Sequence, residues 1–172
     1  MSMNGYPTLG VDMGSVLLDT SFLVRLLSDQ DPLHNNAKGY FKYFLEEAFI
    51  TKVSTISIAE YCVGGKIDEL PLKNLQIVPF NSTQAIRTSE FVKVIFQENK
   101  TSSDTLRPRA IIPNDSKLFA QADLDQSIRY FVTSDFRSKK TYKKLKKQIK
   151  PRFQILNIAI PYHEPFGTLN LR

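Results

Sequence analysis

Four acidic residues stand alone in uncharged sequence. Asp19 is the only charge between Met13 and Val24, Glu60 the only one between Val53 and Gly65, Asp115 the only one between Ala110 and Ser116, and Asp135 the only one between Tyr130 and Phe136. A carboxylate embedded in apolar sequence is costly to bury unless it is paired or bound to a cation. Glu60 has no Lys or Arg three or four positions away to pair with along a helix. Several carboxylates meeting in one crevice repel one another, and a hard divalent cation with oxygen ligands relieves that repulsion, which suits one or two ions of Mg²⁺ or Mn²⁺. Ions of this kind activate water and stabilise charge building on a phosphodiester. The pattern therefore points to nuclease chemistry, although Asp19 and Asp135 also suit helix caps and Asp115 a first helical turn.

The elements that must position these acids alternate along the chain. A short apolar run, Ser15–Leu18, stops at Asp19-Thr20-Ser21, and Phe22, Leu23, Leu26 and Leu27 then recur at helical spacing. Pro32 opens a second helix with Ala37, Tyr40, Phe41, Phe44 and Leu45 on one face, ending near Ala48. Residues 49–54 read as a strand, and Ser54 or Thr55 caps a helix running through Ile58, Ala59 and Cys62 to Gly64-Gly65. Cys62, inside that apolar helix, is expected to be a small buried hydrophobe.

Residues 75–78 give a third strand. Ser82 or Thr83 caps a helix with Ala85, Ile86, Phe91 and Val92 inward, ending near Asn99. Residues 100–113 read as a loop, and Asn114 caps a helix that begins at Asp115 with Leu118, Phe119 and Ala122 on one stripe. Tyr130-Phe131-Val132 is a strand that turns through Thr133-Ser134-Asp135 into a basic helix. Residues 153–158 form a last strand, and the segment from Pro161 has no clear pattern. Strands separated by helices of this length imply right-handed crossovers and a mainly parallel sheet of four to five strands, covered on both faces as α/β/α. Asp19 and Asp135 then close strands, Glu60 follows one and Asp115 opens a helix, which in an open parallel sheet aims them at one crevice.

A chain of 172 residues fits one domain, residues 1–172, with a core of about 15–160 and a tail of 161–172. With 42% hydrophobic residues, 12 Phe and 7 Tyr, it should fold. One cysteine excludes an internal disulfide or a Cys-rich metal centre, and no apolar run is long enough to span a membrane. The start lacks a signal-peptide pattern, so a cytoplasmic protein with no membrane association is expected. Net charge is +6, yet segment 137–152 carries nine cations and no acid. The remainder has 14 cations and 17 acids, 14 − 17 = −3. One strongly basic stretch on a mildly acidic body suggests a polyanionic partner, with Lys139, Lys140, Lys143, Lys144 and Lys147 placed to neutralise phosphates and Arg25, Arg107 and Arg109 as secondary candidates. The same helix has an innocent reading as a solvated face, with Tyr142, Leu145 and Ile149 inward.

At Leu17-Leu18-Asp19-Thr20-Ser21, Ser57-Ile58-Ala59-Glu60, Pro113-Asn114-Asp115 with Ala120-Gln121-Ala122, and Val132-Thr133-Ser134-Asp135, the sequence resembles the PIN-domain family of metal-dependent ribonucleases, which includes the VapC-like toxins of toxin–antitoxin pairs. The motifs come in the family's order and span residues 16–158. Ser21 stands where toxin members often carry Asn after the Asp-Thr pair.

The resemblance implies a three-layer α/β/α PIN-like fold and hydrolysis of RNA phosphodiesters with Mg²⁺ or Mn²⁺, leaving a 5′-phosphate. It implies catalytic metal ligands at Asp19, Glu60, Asp115 and Asp135, with the hydroxyl beside the last acid at Thr133 and Ser21 in support. A homodimer and, for a toxin, an antitoxin protein over the cleft are implied as well. Two other functions fit the same acids: a PIN-fold protein that binds RNA or scaffolds without cutting, and a metal-dependent phosphohydrolase on small phosphate esters. A two-histidine ribonuclease is disfavoured, because His34 and His163 lie outside the cleft-forming motifs. Asp123 and Asp125, eight and ten residues beyond Asp115, fall about 12 Å or farther along that helix.

Overall fold

Five short parallel strands form the centre of the computed structural model, which describes residues 14–100 and 113–167. In chain order they are β1 (Ser15–Leu18), β2 (Ile50–Ser54), β3 (Gln76–Val78), β4 (Ile128–Thr133) and β5 (Gln154–Asn157). The helices are α1 (Thr20–Leu27), α2 (His34–Glu46), α3 (Thr55–Tyr61), α4 (Ser82–Lys100), α5 (Asn114–Leu124), α6 (Phe136–Leu145) and α7 (His163–Phe166). The spatial order is β3-β2-β1-β4-β5, so the chain moves outward from β1 on one side, then returns to its other side. The order reverses between β1 and β4, the place where open α/β sheets bind ligands at the strands' carboxyl ends.

The pleat sends successive side chains of β1 to opposite faces. Val16 and Leu18 join Phe22 and Leu23 of α1 and Tyr40 and Phe44 of α2. Leu17 packs on the other side with Phe91 of α4, Leu118 and Phe119 of α5 and Tyr142 of α6. Two helical layers over one sheet give the expected α/β/α sandwich. At the sheet's amino end, buried Lys52 of β2 donates to Asp125 at 2.6 Å and to Ser127 at 2.8 Å. Asp123, also buried, accepts from the Arg87 guanidinium at 2.7 and 2.9 Å. Both acids are structural partners of cations, away from the strands' carboxyl ends.

Several local readings differ from the structure. The cap of α4 is Asn81: its side chain accepts the Gln84 N–H at 3.0 Å while Gln84 Oε1 accepts the Asn81 N–H at 2.9 Å, a reciprocal box that outcompetes Ser82 or Thr83. Ile86 is exposed, not inward, because the inward stripe of α4 runs through Thr88, Phe91 and Val92. Leu45 is likewise exposed. Helix α3 ends at Tyr61, so Cys62 falls at its C-cap and is exposed. Pro32 lies in the turn before α2 rather than in its first helical turn. The patternless tail contains α7, whose Phe166 stacks on Tyr43 with ring centroids 4.5 Å apart. The loop read at 100–113 falls almost wholly outside the described residues, and Arg107 and Arg109 with it. Among the described residues no helix is long and apolar enough to cross a membrane.

Candidate active site

Asp19 and Asp135 sit where a strand hands over to a helix, Glu60 on the helix that follows one, and Asp115 at the start of α5, the helix before β4. Asp19 follows β1 and caps α1, accepting the Thr20 N–H at 2.8 Å. Ser54, the last residue of β2, caps α3 through the Ile56 N–H at 3.0 Å and so sets the helix that carries Glu60. Asp135 follows β4 and caps α6, accepting the Arg137 N–H at 2.7 Å. Helix α5 starts at Asn114, with Pro113 in the cap position, so Asp115 lies in its first turn rather than opening it. Pro113 bonds through no side chain, and Asn114 is thereby released from capping.

Two hydroxyls tie the first acid to the last. Ser21 Oγ and Thr133 Oγ1 both donate to Asp19 Oδ2, at 2.6 and 2.7 Å. In return Ser21 Oγ accepts the Ser134 N–H at 3.0 Å and Thr133 Oγ1 accepts the Asp135 N–H at 3.0 Å. The two strand-to-helix turns are thus stitched together across the switch point. Glu60 is held from two sides: the Thr20 hydroxyl donates to Oε2 and the Asn114 amide to Oε1. Lys117 donates to the other end of that amide, Asn114 Oδ1, at 3.0 Å.

The electrostatics follow from this gathering. Burial pushes the Asp115 carboxyl up to about 6, and the negative charges of Asp19, Asp135 and Glu60 push the same way. The buried Ser138 hydroxyl of α6 opposes that rise without reaching hydrogen-bond geometry. Asp19 is raised too, chiefly by burial and further by Glu60, while Ser21, Thr133 and the Thr20 N–H pull it down. None of the four acids is ion-paired among the described residues. Of the cations nearby, Arg25 pairs with Asp31 and Lys117 donates to the Asn114 amide oxygen.

An all-oxygen donor set with uncompensated negative charge has the chemistry a hard divalent cation needs. The acids share one electrostatic neighbourhood rather than a closed cage: among the described residues no three His, Cys, Asp or Glu side chains are packed as a ready-made metal site.

No family model matches the chain, and no curated protein does. Solved structures do. VapBC2 from Rickettsia felis bound to a DNA fragment from their promoter is similar with a TM-score of 0.53 and 14% identity, over 83% of this chain and 97% of that one. DNA-bound VapBC from Salmonella typhimurium is similar with a TM-score of 0.51 and 16% identity, over 85% of this chain and 99% of that one. The chain has a PIN-like fold. The likeness read from four short motifs thus holds at the level of architecture.

In this PIN-like fold the basic segment divides into two stripes. Lys139, Lys143 and Lys146, at i, i+4 and i+7, line a groove of about 590 Å³ beside the edge strand β5. On the neighbouring stripe Lys147 pairs with Glu98 of α4 at 2.9 Å, and Lys144 lies within electrostatic reach of the same acid. Lys140 is exposed on that stripe. Sequence reasoning missed Lys146 as a groove residue and the holding roles of Thr20 and Asn114. Both of the latter stood inside the recognised motifs, but a hydrogen bond to a residue 40 or 54 positions away leaves no local signal.

Proposed function

We propose that this PIN-like chain is a divalent-metal-dependent ribonuclease, with Asp19, Glu60, Asp115 and Asp135 as its metal-holding acids. The observation that carries this reading is the gathering of four carboxyl groups at the carboxyl edge of the sheet, with no cation paired to any of them among the described residues. Burying Asp19 and Asp115 beside other carboxyl groups costs the fold stability, and a site that keeps them is arranged for a cation. Mg²⁺ or Mn²⁺, as one or two ions, supplies a water of lowered pKa and neutralises charge on the phosphodiester oxygens.

The chain's own residues do the rest. Ser21 and Thr133 hold Asp19 Oδ2, which leaves Oδ1 with only the Thr20 N–H. Thr20 and Asn114 fix Glu60 from both sides, so that its carboxylate faces the cleft in one orientation. Asp115, raised to about 6 without metal, gains most from a bound cation, which would favour its charged form.

A nucleic-acid strand is favoured over a small phosphate ester because Lys139 and Lys143, joined by Lys146, offer phosphate contacts along one groove, and the likeness to PIN-domain ribonucleases makes that strand RNA. Lys140, Lys144 and Lys147 are the second stripe of that proposed contact. The two similar structures are VapBC structures with DNA, which supports a toxin reading with an antitoxin protein as partner. A homodimer belongs to the same reading.

The test incubates labelled RNA with wild type, Asp19→Asn and Glu60→Gln in Mn²⁺, with and without chelator. Cleavage by wild type in Mn²⁺ alone, lost in both variants, is expected. Cleavage that survives chelation, or survives in folded variants, overturns the assignment.

A further inference from the structure

Among the described residues the aromatic side chains are packed away with one exception. Of its 12 Phe and 7 Tyr, every one among the described residues is buried or half-buried apart from Phe136, which is 73% exposed. Its position explains the exposure. The inward stripe of α6 runs through Ser138, Tyr142 and Leu145, and the helix's first residue lies on the opposite side of that stripe. Nothing in the core requires an aromatic ring there.

What lies beside it is the candidate site. Phe136 directly follows Asp135, and the bond from the Arg137 N–H to Asp135 Oδ1 fixes the acid and the ring in the same turn of backbone. Asp135 in turn acts on Asp115 across the cleft. Exposed Arg137 comes next in the chain, so an apolar π-face, a cation and a metal-holding acid occupy three consecutive positions.

We propose that Phe136 is a stacking platform for a base of the nucleotide adjoining the scissile phosphate. This rests on the ribonuclease reading and adds to it a positioning contact. Single-stranded nucleic acid is held by just this pairing of aromatic faces with backbone-directed cations, and stacking tolerates any base because every base has a π-face. A strand whose phosphodiester met Asp135 would have a flanking base within reach of the residue next in the chain, and that residue is this exposed ring. The contact acts on binding rather than on the bond-breaking step.

The experiment measures cleavage of a single-stranded oligoribonucleotide in Mn²⁺ by wild type, Phe136→Ala and Phe136→Trp. A parallel series of substrates carries one abasic position moved along the strand. Phe136→Ala should raise KM about tenfold, with kcat within about twofold of wild type, and Phe136→Trp should restore KM. One abasic position next to the cut should raise KM for wild type and leave Phe136→Ala indifferent. Thermal melting checks that both variants fold. Wild type that does not cut RNA defeats the ribonuclease reading itself. Wild type that cuts while Phe136→Ala keeps its KM, or an abasic series in which no position levels the two proteins, overturns the platform alone.

Discussion

The Thr133 hydroxyl donates to Asp19 Oδ2 at 2.7 Å and accepts the Asp135 N–H at 3.0 Å, so one side chain ties together two acids that follow different strands. Thr133→Val keeps the shape and removes both bonds. Leaving a buried donor and a buried carboxylate oxygen without that partner should lower stability by about 1–3 kcal/mol. Cleavage should fall further than stability explains, because Asp19 can then turn. Thr133→Ser, which keeps the hydroxyl, should behave like wild type in both. Urea unfolding and initial cleavage rates check this, and a Val variant as stable and active as the Ser variant refutes it.

Asp115 should cost the fold stability at neutral pH. Its folded pKa is raised to about 6, so the folded chain binds a proton between about pH 4 and 6 that the unfolded chain does not. Stability therefore falls as pH rises through that window. With chelator present, Asp115→Asn should raise stability by about 1–3 kcal/mol at pH 7.5, and the gain should vanish below about pH 4. Thermal melts across that range read the difference directly. Wild type and variant melting together at pH 7.5 would show that the buried Asp115 charge costs the fold nothing.

At the sheet's other end the sign reverses. Burial alone would push the Asp125 carboxyl up, but the Lys52 ammonium at 2.6 Å and the Ser127 bonds outweigh it and hold the pKa below the ordinary value. A depressed carboxyl stabilises above its unfolded pKa of about 3.9, and that stability is lost as pH falls below it. Asp125→Asn, which leaves buried Lys52 without its counter-charge, should cost about 2–4 kcal/mol at pH 7. The deficit should shrink as the pH drops under about 4. Equal unfolding midpoints at pH 7 would contradict the pairing.

The difference between these two groups of acids was legible in the sequence for the first and only by exclusion for the second. Asp19, Glu60, Asp115 and Asp135 were conspicuous because local sequence offers them no partner, and the strand-to-helix alternation brings them to one edge whatever the details of the loops. Asp123 and Asp125 could be set aside by helical distance, but Arg87 and Lys52, 36 and 73 positions away, could not be named as their partners. Side chains that choose between competing local bonds were also misread. Asn81 won the cap of α4 because Gln84 returns its bond, and Asn114 gave up a cap to hold Glu60. Cys62 reads as core only if the helix runs on to Gly64-Gly65; it ends at Tyr61, and Cys62 at the C-cap is left in solvent.

Helix α7 was illegible for a related reason: four residues carry no period. Its Phe166 stacks on Tyr43 at 4.5 Å and lies within 6.5 Å of the Tyr40, Phe44, Phe49 and Tyr130 ring centroids. Phe166→Ala should therefore cost about 1–3 kcal/mol, an amount out of reach of a dangling tail. Phe166→Leu should recover part of it through area alone. A denaturation curve unmoved by Phe166→Ala would return residues 161–167 to the status of an appendage.

The two lysine stripes of the basic segment make separable predictions. Lys139, Lys143 and Lys146 line the open groove, whereas Lys147 is paired with Glu98 at 2.9 Å and Lys144 faces the same acid. A cation already beside a carboxylate releases fewer counterions on meeting a phosphate, so the first stripe should dominate RNA affinity. For single strands each neutralised phosphate contributes about 0.7 to the slope of log K against log salt. Replacing Lys139, Lys143 and Lys146 by Gln should flatten that slope by about 2, and replacing Lys140, Lys144 and Lys147 by well under that amount. The second set should instead show a stability loss of no more than about 1 kcal/mol from the broken surface pair. Binding titrations on the uncut RNA at several salt concentrations decide the matter, and equal slopes for the two triple variants would mean that the groove does not track the backbone.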